Sequence, residues 1–321
     1  MDIKKKKIVS IAGGNGSAIT LRALKKHKDV FDISAVVGTS DSGGSSGKLR
    51  EELAVLPPGD ILRAVLSMSA IYDYDTFLKP LFYKKRFYGL GRLNEHNLGN
   101  LFLVLASKYS GDFVKSIRAL EQIVEAAGSA YPSTLELADL VAELENGEII
   151  KTEAMIDRPV YDKSLKIKKV YLGSKPNAYP DVLKVIEEAD YILFGPGSLY
   201  CSIIAAILPE GISDSISKSS AKLIYIASNK YELDGETGPV TLCKSLWALE
   251  EYLPRKIDSV VFNTNKLNPK QRSYYDRKRW GLVEYNPEHI KSTKVVGGNF
   301  EKENGGLDVE KLGDILKSEL V

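Results

Sequence analysis

Near the start of the chain, short apolar runs alternate with stretches that repeat apolar residues every three or four positions, and the same alternation returns after residue 165. Residues 8–12 read as a first strand, 18–26 as the helix after it and 32–37 as a second strand. Further strands are predicted over 169–172, 191–194, 223–227 and 259–263, with helices over 179–188, 240–252 and 308–320. Compact apolar strands separated by helices are the pattern of βαβ units, whose parallel strands are buried on both faces. Between the two blocks, 61–71, 73–81, 98–108 and 113–126 carry the spacing of one apolar helix face, so about 61–130 is expected to be a helical insert. Asn146-Gly147 then stands between the β-type runs 140–144 and 149–152, which predicts an added β-hairpin over about 138–155. The expected fold is α/β, a doubly wound, mainly parallel sheet, with residues 1–321 forming one composite domain.

Composition narrows the class. The chain has 321 residues, of which 44% are hydrophobic and 27% charged, enough for a large buried core. Lys and Arg total 44 and Asp and Glu 42, a formal charge of +2, so the basic surface of a nucleic-acid binder is not expected. Cys201 and Cys243 are the two cysteines, in no CxxC or Cys/His spacing, which argues against a disulfide framework or a zinc site and for a reducing cytoplasm. The Lys-rich start is followed by an apolar run shorter than the ~7–15 residues of a secretion signal. No apolar run nears the ~18–20 residues of a membrane span, so membrane insertion is not expected.

Candidate chemistry clusters after the predicted strands. Gly13-Gly14-Asn15-Gly16-Ser17 lies between a strand and a helix, where residues lacking a Cβ let backbone N–H groups approach phosphate oxygens. The third glycine of the dinucleotide fingerprint falls on Ile19, which disfavours a nicotinamide or flavin cofactor, and a plain tight βα turn stays open. Asp41-Ser42-Gly43-Gly44-Ser45-Ser46-Gly47-Lys48 follows strand two and is either a flexible loop or an anion cradle. Its glycine spacing is one residue short of a Walker A loop, and Leu49 stands where that loop needs Ser or Thr. Asp41, at the carboxyl end of a parallel strand, could hold a ribose hydroxyl, a metal ion or a proton. In Leu56-Pro57-Pro58-Gly59-Asp60, the carboxylate is placed to cap the following helix or to hold a metal or hydroxyl from a rigid turn.

His96, Asn97 and Asn100 crowd the start of a predicted helix, and His96 is the one of three histidines best placed for chemistry. Gly195-Pro196-Gly197-Ser198 repeats the strand, glycine loop, helix arrangement and offers a second cradle. Cys201 is expected to pack in the helix after it. Asn229, after the strand 223–227, could read a base edge or close a turn.

Taken together, GGNG, SDSGGSSGKLR, LPPGDI, HNLGN, GPGSLY and the stretch from Asn229 to Thr237 occur in the order and approximate spacing of the superfamily of 2-phospho-L-lactate transferases and gluconeogenesis factors, which the chain resembles from about residue 8 to 265. GGSSG, LPPGD and GPGSLY look like the gluconeogenesis-factor branch. The resemblance implies a Rossmann-like fold, a cytoplasmic protein, a nucleotide or UDP-sugar ligand and a role in cell shape and envelope metabolism. It places Gly13, Gly14 and Gly16 in the glycine turn, Asp41 and Asp60 at the family's aspartates, and His96 and Asn100 in its helix-start motif. For the transferase branch it implies Mg-dependent transfer of a phospholactyl group from a guanylylated donor to a deazaflavin alcohol, with Asp41 and Asp60 on the metal. The factor branch usually has two adjacent aspartates where this chain has Asp41-Ser42, and loss of one carboxylate weakens a two-carboxylate metal site. A homo-oligomer, a dimer, is expected.

Overall fold

The computed structural model describes residues 4–291 and 293–321. The strands are β1 (Lys6–Ile11), β2 (Phe31–Val37), β3 (Gly128–Pro132), β4 (Leu140–Leu144), β5 (Ile149–Lys151), β6 (Ile167–Leu172), β7 (Tyr191–Phe194), β8 (Lys222–Ala227), β9 (Lys230–Glu232), β10 (Ser259–Asn263), β11 (Trp280–Leu282) and β12 (Lys294–Gly298). Seven of them form one parallel sheet in the order β12-β10-β8-β7-β1-β2-β3. The chain grows outward from β1 to β3, then crosses back to lay β7 on the other side of β1. That reversal is the doubly wound topology, and its switch point lies between β1 and β7.

The sheet forms because its strands are apolar on both sides. In β7 and β8, Ile192, Phe194, Leu223 and Tyr225 enter the core on one face, whereas Leu193, Ile224 and Ile226 enter the core on the other. Successive side chains of a strand point to opposite faces, so an unbroken apolar run fits only a sheet covered by helices on both sides.

Two expectations are corrected in detail. The helices α2 (Gly44–Leu53), α3 (Gly59–Ser67), α4 (Leu98–Ser110) and α5 (Phe113–Ile123), with a wide helical turn over Tyr74–Lys84, are the crossover from β2 to β3. The helical block thus ends in a parallel edge strand, which Gly-Ser-Ala-Tyr-Pro conceals: it is short and ends in proline, tolerated at an edge. The hairpin forms around Gly147, in the left-handed region at φ +85°, yet it does not join the main sheet. It belongs to a separate antiparallel sheet, β5-β4-β6, and β6 takes the 169–172 run expected among the parallel strands.

Helix α1 (Gly14–Lys25) follows β1 and packs against the helix Val309–Leu320. Gly313 approaches so closely that a Cβ there would lie 3.0 Å from the Ala23 carbonyl oxygen, and Leu312, Leu316 and Leu320 share a core with Leu21 and Leu24. Lys26 pairs with Glu310 across the contact. Among the described residues, no helix is long and apolar enough to cross a membrane.

Candidate functional site

A cleft of about 740 Å³ opens at the carboxyl ends of β1, β2, β7 and β8, on the switch point. Its floor is set by contact between two loops. Helix α1 begins inside the glycine motif, with Gly14 in the left-handed region at φ +71°. Gly16 faces the loop after β7, where a Cβ would lie 2.1 Å from the Pro196 carbonyl oxygen. Asn15 and Gly16 line the cleft beside Gly197 and Ser198, and first-turn amides have no acceptor within their own helix.

Asp60 does not cap its own helix. It lies in the first turn of α3, where Pro58 holds the cap position, and its side chain reaches across to α1. Oδ2 accepts from the Gly14 N–H at 2.9 Å and Oδ1 from Arg63 Nη1 at 2.5 Å. Arg63 is buried, stacks 4.7 Å from the Tyr83 ring centre and bonds the Tyr83 hydroxyl.

The Ser/Gly stretch after Asp41 is a helix start rather than a flexible loop. Gly47 packs where a Cβ would lie 2.0 Å from the Ser42 carbonyl oxygen, and Ser46 Oγ accepts from Gly59 N–H at 3.1 Å. Ser45 Oγ accepts from Asn100 Nδ2 at 3.1 Å and stands 2.9 Å from His96 Nδ1. Asn97 Oδ1 caps α4 by accepting from Asn100 N–H at 2.8 Å. Asn97 Nδ2 and Asn100 Oδ1 are buried without a partner among the described residues, and both residues line the cleft. His96 sits behind Ser45, buried, and reaches the cleft only through that hydroxyl.

Sequence reasoning missed the acidic wall. Asp41 Oδ1 accepts from Gly43 N–H at 2.9 Å. Beside it stands α6 (Glu153–Asp157), tied to the loop by two bonds: Glu153 Oε2 accepts from Ser42 N–H at 3.3 Å and Ser42 Oγ from Ala154 N–H at 2.9 Å. Ser42 thus ties Glu153 to the loop after Asp41. Burial, then the neighbouring Asp60, pushes the Asp41 carboxyl up to about 6; burial, then Asp41 and Asp157, pushes Glu153 up to about 8. Glu236, pushed up to about 7 by burial, accepts from Cys201 N–H at 3.0 Å and Tyr200 N–H at 3.2 Å. This carboxylate occupies the start of the helical segment Leu199–Ile204, while Pro196, Gly197 and Ser198 of the second loop line the cleft. Burial, then Glu236 and Glu153, pushes the Cys201 thiol well up, so it packs as expected. Exposed Arg158, Lys163 and Lys166 ring the mouth.

Residues 8–300 match the family described as 2-phospho-L-lactate transferase CofD. The chain belongs to the CofD family. Among its relatives, the gluconeogenesis factor of Bacillus subtilis is 34% identical over 291 residues, 90% of this chain and 88% of that protein. The gluconeogenesis factor of Listeria monocytogenes is 36% identical over 321 residues, 97% of this chain and 95% of that protein. A crystal structure of a Bacillus halodurans protein of the UPF0052 family superposes with a TM-score of 0.87 at 30% identity, over 97% of this chain and 99% of that one. The resemblance to the gluconeogenesis-factor branch drawn from the motifs is thereby shown.

In this CofD-family cleft the expected residues Gly14, Asn15, Gly16, Asp41, Gly43, Gly44, Ser45, Ser46, Asp60, Asn97, Asn100, Pro196, Gly197, Ser198 and Asn229 share one wall or another. Gly13 lies beneath, its N–H given to the Ser202 carbonyl at 3.2 Å, and Gly195 and Ser42 support the loops from behind. Glu153 and Asp157 carry a faint sequence signal, two carboxylates four apart on one helix face, and Glu236 falls in the Asn229–Thr237 stretch.

Proposed function

We propose that the cleft binds a nucleotide or nucleotide sugar such as a UDP-sugar, with its phosphates against the first-turn amides of α1 and the Gly197-Ser198 loop. The observation that carries this reading is the contact of Gly16 with Pro196, which sets two glycine loops side by side at the switch point. Lys230 and Trp280, stacked with the ammonium 4.2 Å from the ring centre, and Tyr231 offer apolar surface for the nucleoside end. The protein would act, like the gluconeogenesis factors it resembles, in cell shape and envelope metabolism.

The acidic wall bears on what accompanies the ligand. A diphosphate entering beside Asp41, Glu153 and Asp157 needs positive charge with it. Asp41 provides carboxylate oxygens of the kind a Mg ion takes, and beside it Glu153, held up at about 8, keeps its proton at neutral pH. Asp60 is less free, since each of its oxygens already accepts a bond from Gly14 or Arg63. Cys201, also near Glu153 and Asp157, is held as a thiol and is a poor ligand for a hard cation. A Mg ion bound there would neutralise phosphate charge during transfer. These carboxyl groups therefore favour a second reading, a Mg-dependent phospholactyl transferase, in which Glu153, once ionised above about pH 8, takes the proton of the attacking hydroxyl while guanosine monophosphate leaves the donor phosphorus.

Calorimetry with UDP-sugars and guanine nucleotides, with and without Mg, tests the binding reading; no heat from any of them at high protein concentration would sink it. Incubation with guanylylated phospholactate and a deazaflavin alcohol tests the transferase reading, and absence of product removes it.

A further inference from the structure

We infer that Asn229 reads a hydrogen-bond donor on the bound nucleoside through its side-chain oxygen, and that Glu301 and Tyr275 are the positioning residues that turn that oxygen into the cleft. The inference rests on the nucleotide-binding reading above. Asn229 lies just past the end of β8, its backbone carbonyl fixed by Val283 N–H at 3.0 Å, and it is 3% exposed. Behind it Glu301, 1% exposed, gathers donors on Oε2: Asn263 Nδ2 at 2.6 Å, the Tyr275 hydroxyl at 3.2 Å and Asn229 Nδ2 at 3.5 Å. Its other oxygen accepts from Gly306 N–H.

A carboxylate accepts and does not donate, so an amide turned toward it must present its nitrogen. Tyr275 adds a second constraint of the same sign. Its one proton goes to Glu301, so toward Asn229, 3.1 Å away, it can only accept. Both hydrogens of Asn229 Nδ2 are thus used on the protein side, and Oδ1 is forced the other way. The neighbouring amide shows the difference: Asn263 Oδ1 accepts from Phe300 N–H at 3.2 Å and Asn265 N–H at 3.3 Å, whereas Asn229 Oδ1 is buried and has no partner among the described residues. A buried carbonyl without a donor is costly, and Asn229 faces the cleft beside Tyr275 and Trp280. The missing partner is an N–H or O–H of the ligand, on the base or on the ribose.

Calorimetry tests this with UDP-glucose and GDP as parent ligands. The 2′-deoxy and 3′-deoxy forms probe the ribose, and N3-methyluracil and N1-methylguanine forms probe the base. Wild type is expected to bind one of these analogues about tenfold more weakly than its parent, the scale of one hydrogen bond. Asn229→Ala is expected to bind the parent about tenfold more weakly and to lose that discrimination. Glu301→Gln and the milder Tyr275→Phe, which removes a single oxygen, are expected to lose discrimination with the Asn229 side chain still in place, a change that loss of packing alone would not produce. Wild type that binds a parent, with the same parent-to-analogue ratio in Asn229→Ala, overturns the inference and leaves the nucleotide reading standing. An unchanged ratio in Tyr275→Phe overturns the positioning role, even where Glu301→Gln fails to fold. Wild type that binds neither parent refutes the nucleotide reading itself.

Discussion

Replacing Gly16 by alanine sets two effects of opposite sign against each other. Gly16 is helical, and in a helix interior alanine is favoured over glycine by about 1 kcal/mol. Against this, the new methyl would lie 2.1 Å from the Pro196 oxygen, 2.5 Å from the Pro196 carbonyl carbon and 3.0 Å from Gly197 N. Carbon contacts are comfortable at about 3.5–4.0 Å, so more than an ångström must be recovered. All three obstacles are backbone, and no side chain can swing away. Overpacking of this kind costs about 1–3 kcal/mol, and with backbone on both sides the upper end is expected, for a net loss of about 2 kcal/mol. In a chain of this size that lowers the melting temperature by about 3 °C. The two loops must also part, so nucleotide binding should be lost along with the stability. Gly14→Ala is the control: its φ of +71° makes any side chain strained, yet the nearest atom is the Ser202 hydroxyl at 3.4 Å, so it should cost about 1 kcal/mol while sparing the loop contact. Scanning calorimetry and ligand titration on both variants check this. A Gly16→Ala protein that melts at or above wild type and binds nucleotide normally would refute the contact as the organising feature of the site.

Three further outcomes follow from the carboxylates and the thiol. Glu153 is held up at about 8, above its value in the unfolded chain, so the folded protein keeps a proton that the unfolded one gives up; stability should fall as pH rises from about 4.5 toward 8 and then level off, and Glu153→Gln should flatten that slope in urea midpoints. Asp60→Ala leaves Arg63, whose side chain is 10% exposed, without its carboxylate and takes the acceptor from Gly14, so denaturation should show a loss of about 3–5 kcal/mol; a loss under 1 kcal/mol would show that water replaces the pair. Cys201 should resist an aromatic disulfide reagent at neutral pH in the folded protein and react fully in denaturant, and fast labelling of the folded form would contradict its burial.

The parallel strands were legible because burial on both faces leaves an apolar run that little else explains, as in Ile8 to Ala12 or Leu223 to Ala227. The edge strands β3 and β12 were not: Gly-Ser-Ala-Tyr-Pro and Lys-Val-Val-Gly-Gly have too little apolar surface to stand out. In the site, Asp41 and the glycine turns were legible because a strand's carboxyl end tells where its loop must emerge. Glu153 and Asp157 were hidden, since a polar helix face looks the same in sequence whether it meets water or a cleft. Asp60 showed as a helix cap or a metal or hydroxyl ligand, but no local pattern could reveal that it serves the first amide of α1, 46 positions away.

The packing of the helix Val309–Leu320 on α1 has a consequence for how the protein is made. The glycine turn opens a helix whose outer face is completed by residues nearly 300 positions later, where Gly313 meets Ala23 and Glu310 meets Lys26. Contacts so distant along the chain close late and slow the search for the native state. During synthesis the glycine turn of residues 13–17 therefore waits, half supported, until residues 309–320 have folded against it, and a protein lacking those residues would carry the turn without the brace that holds it in register.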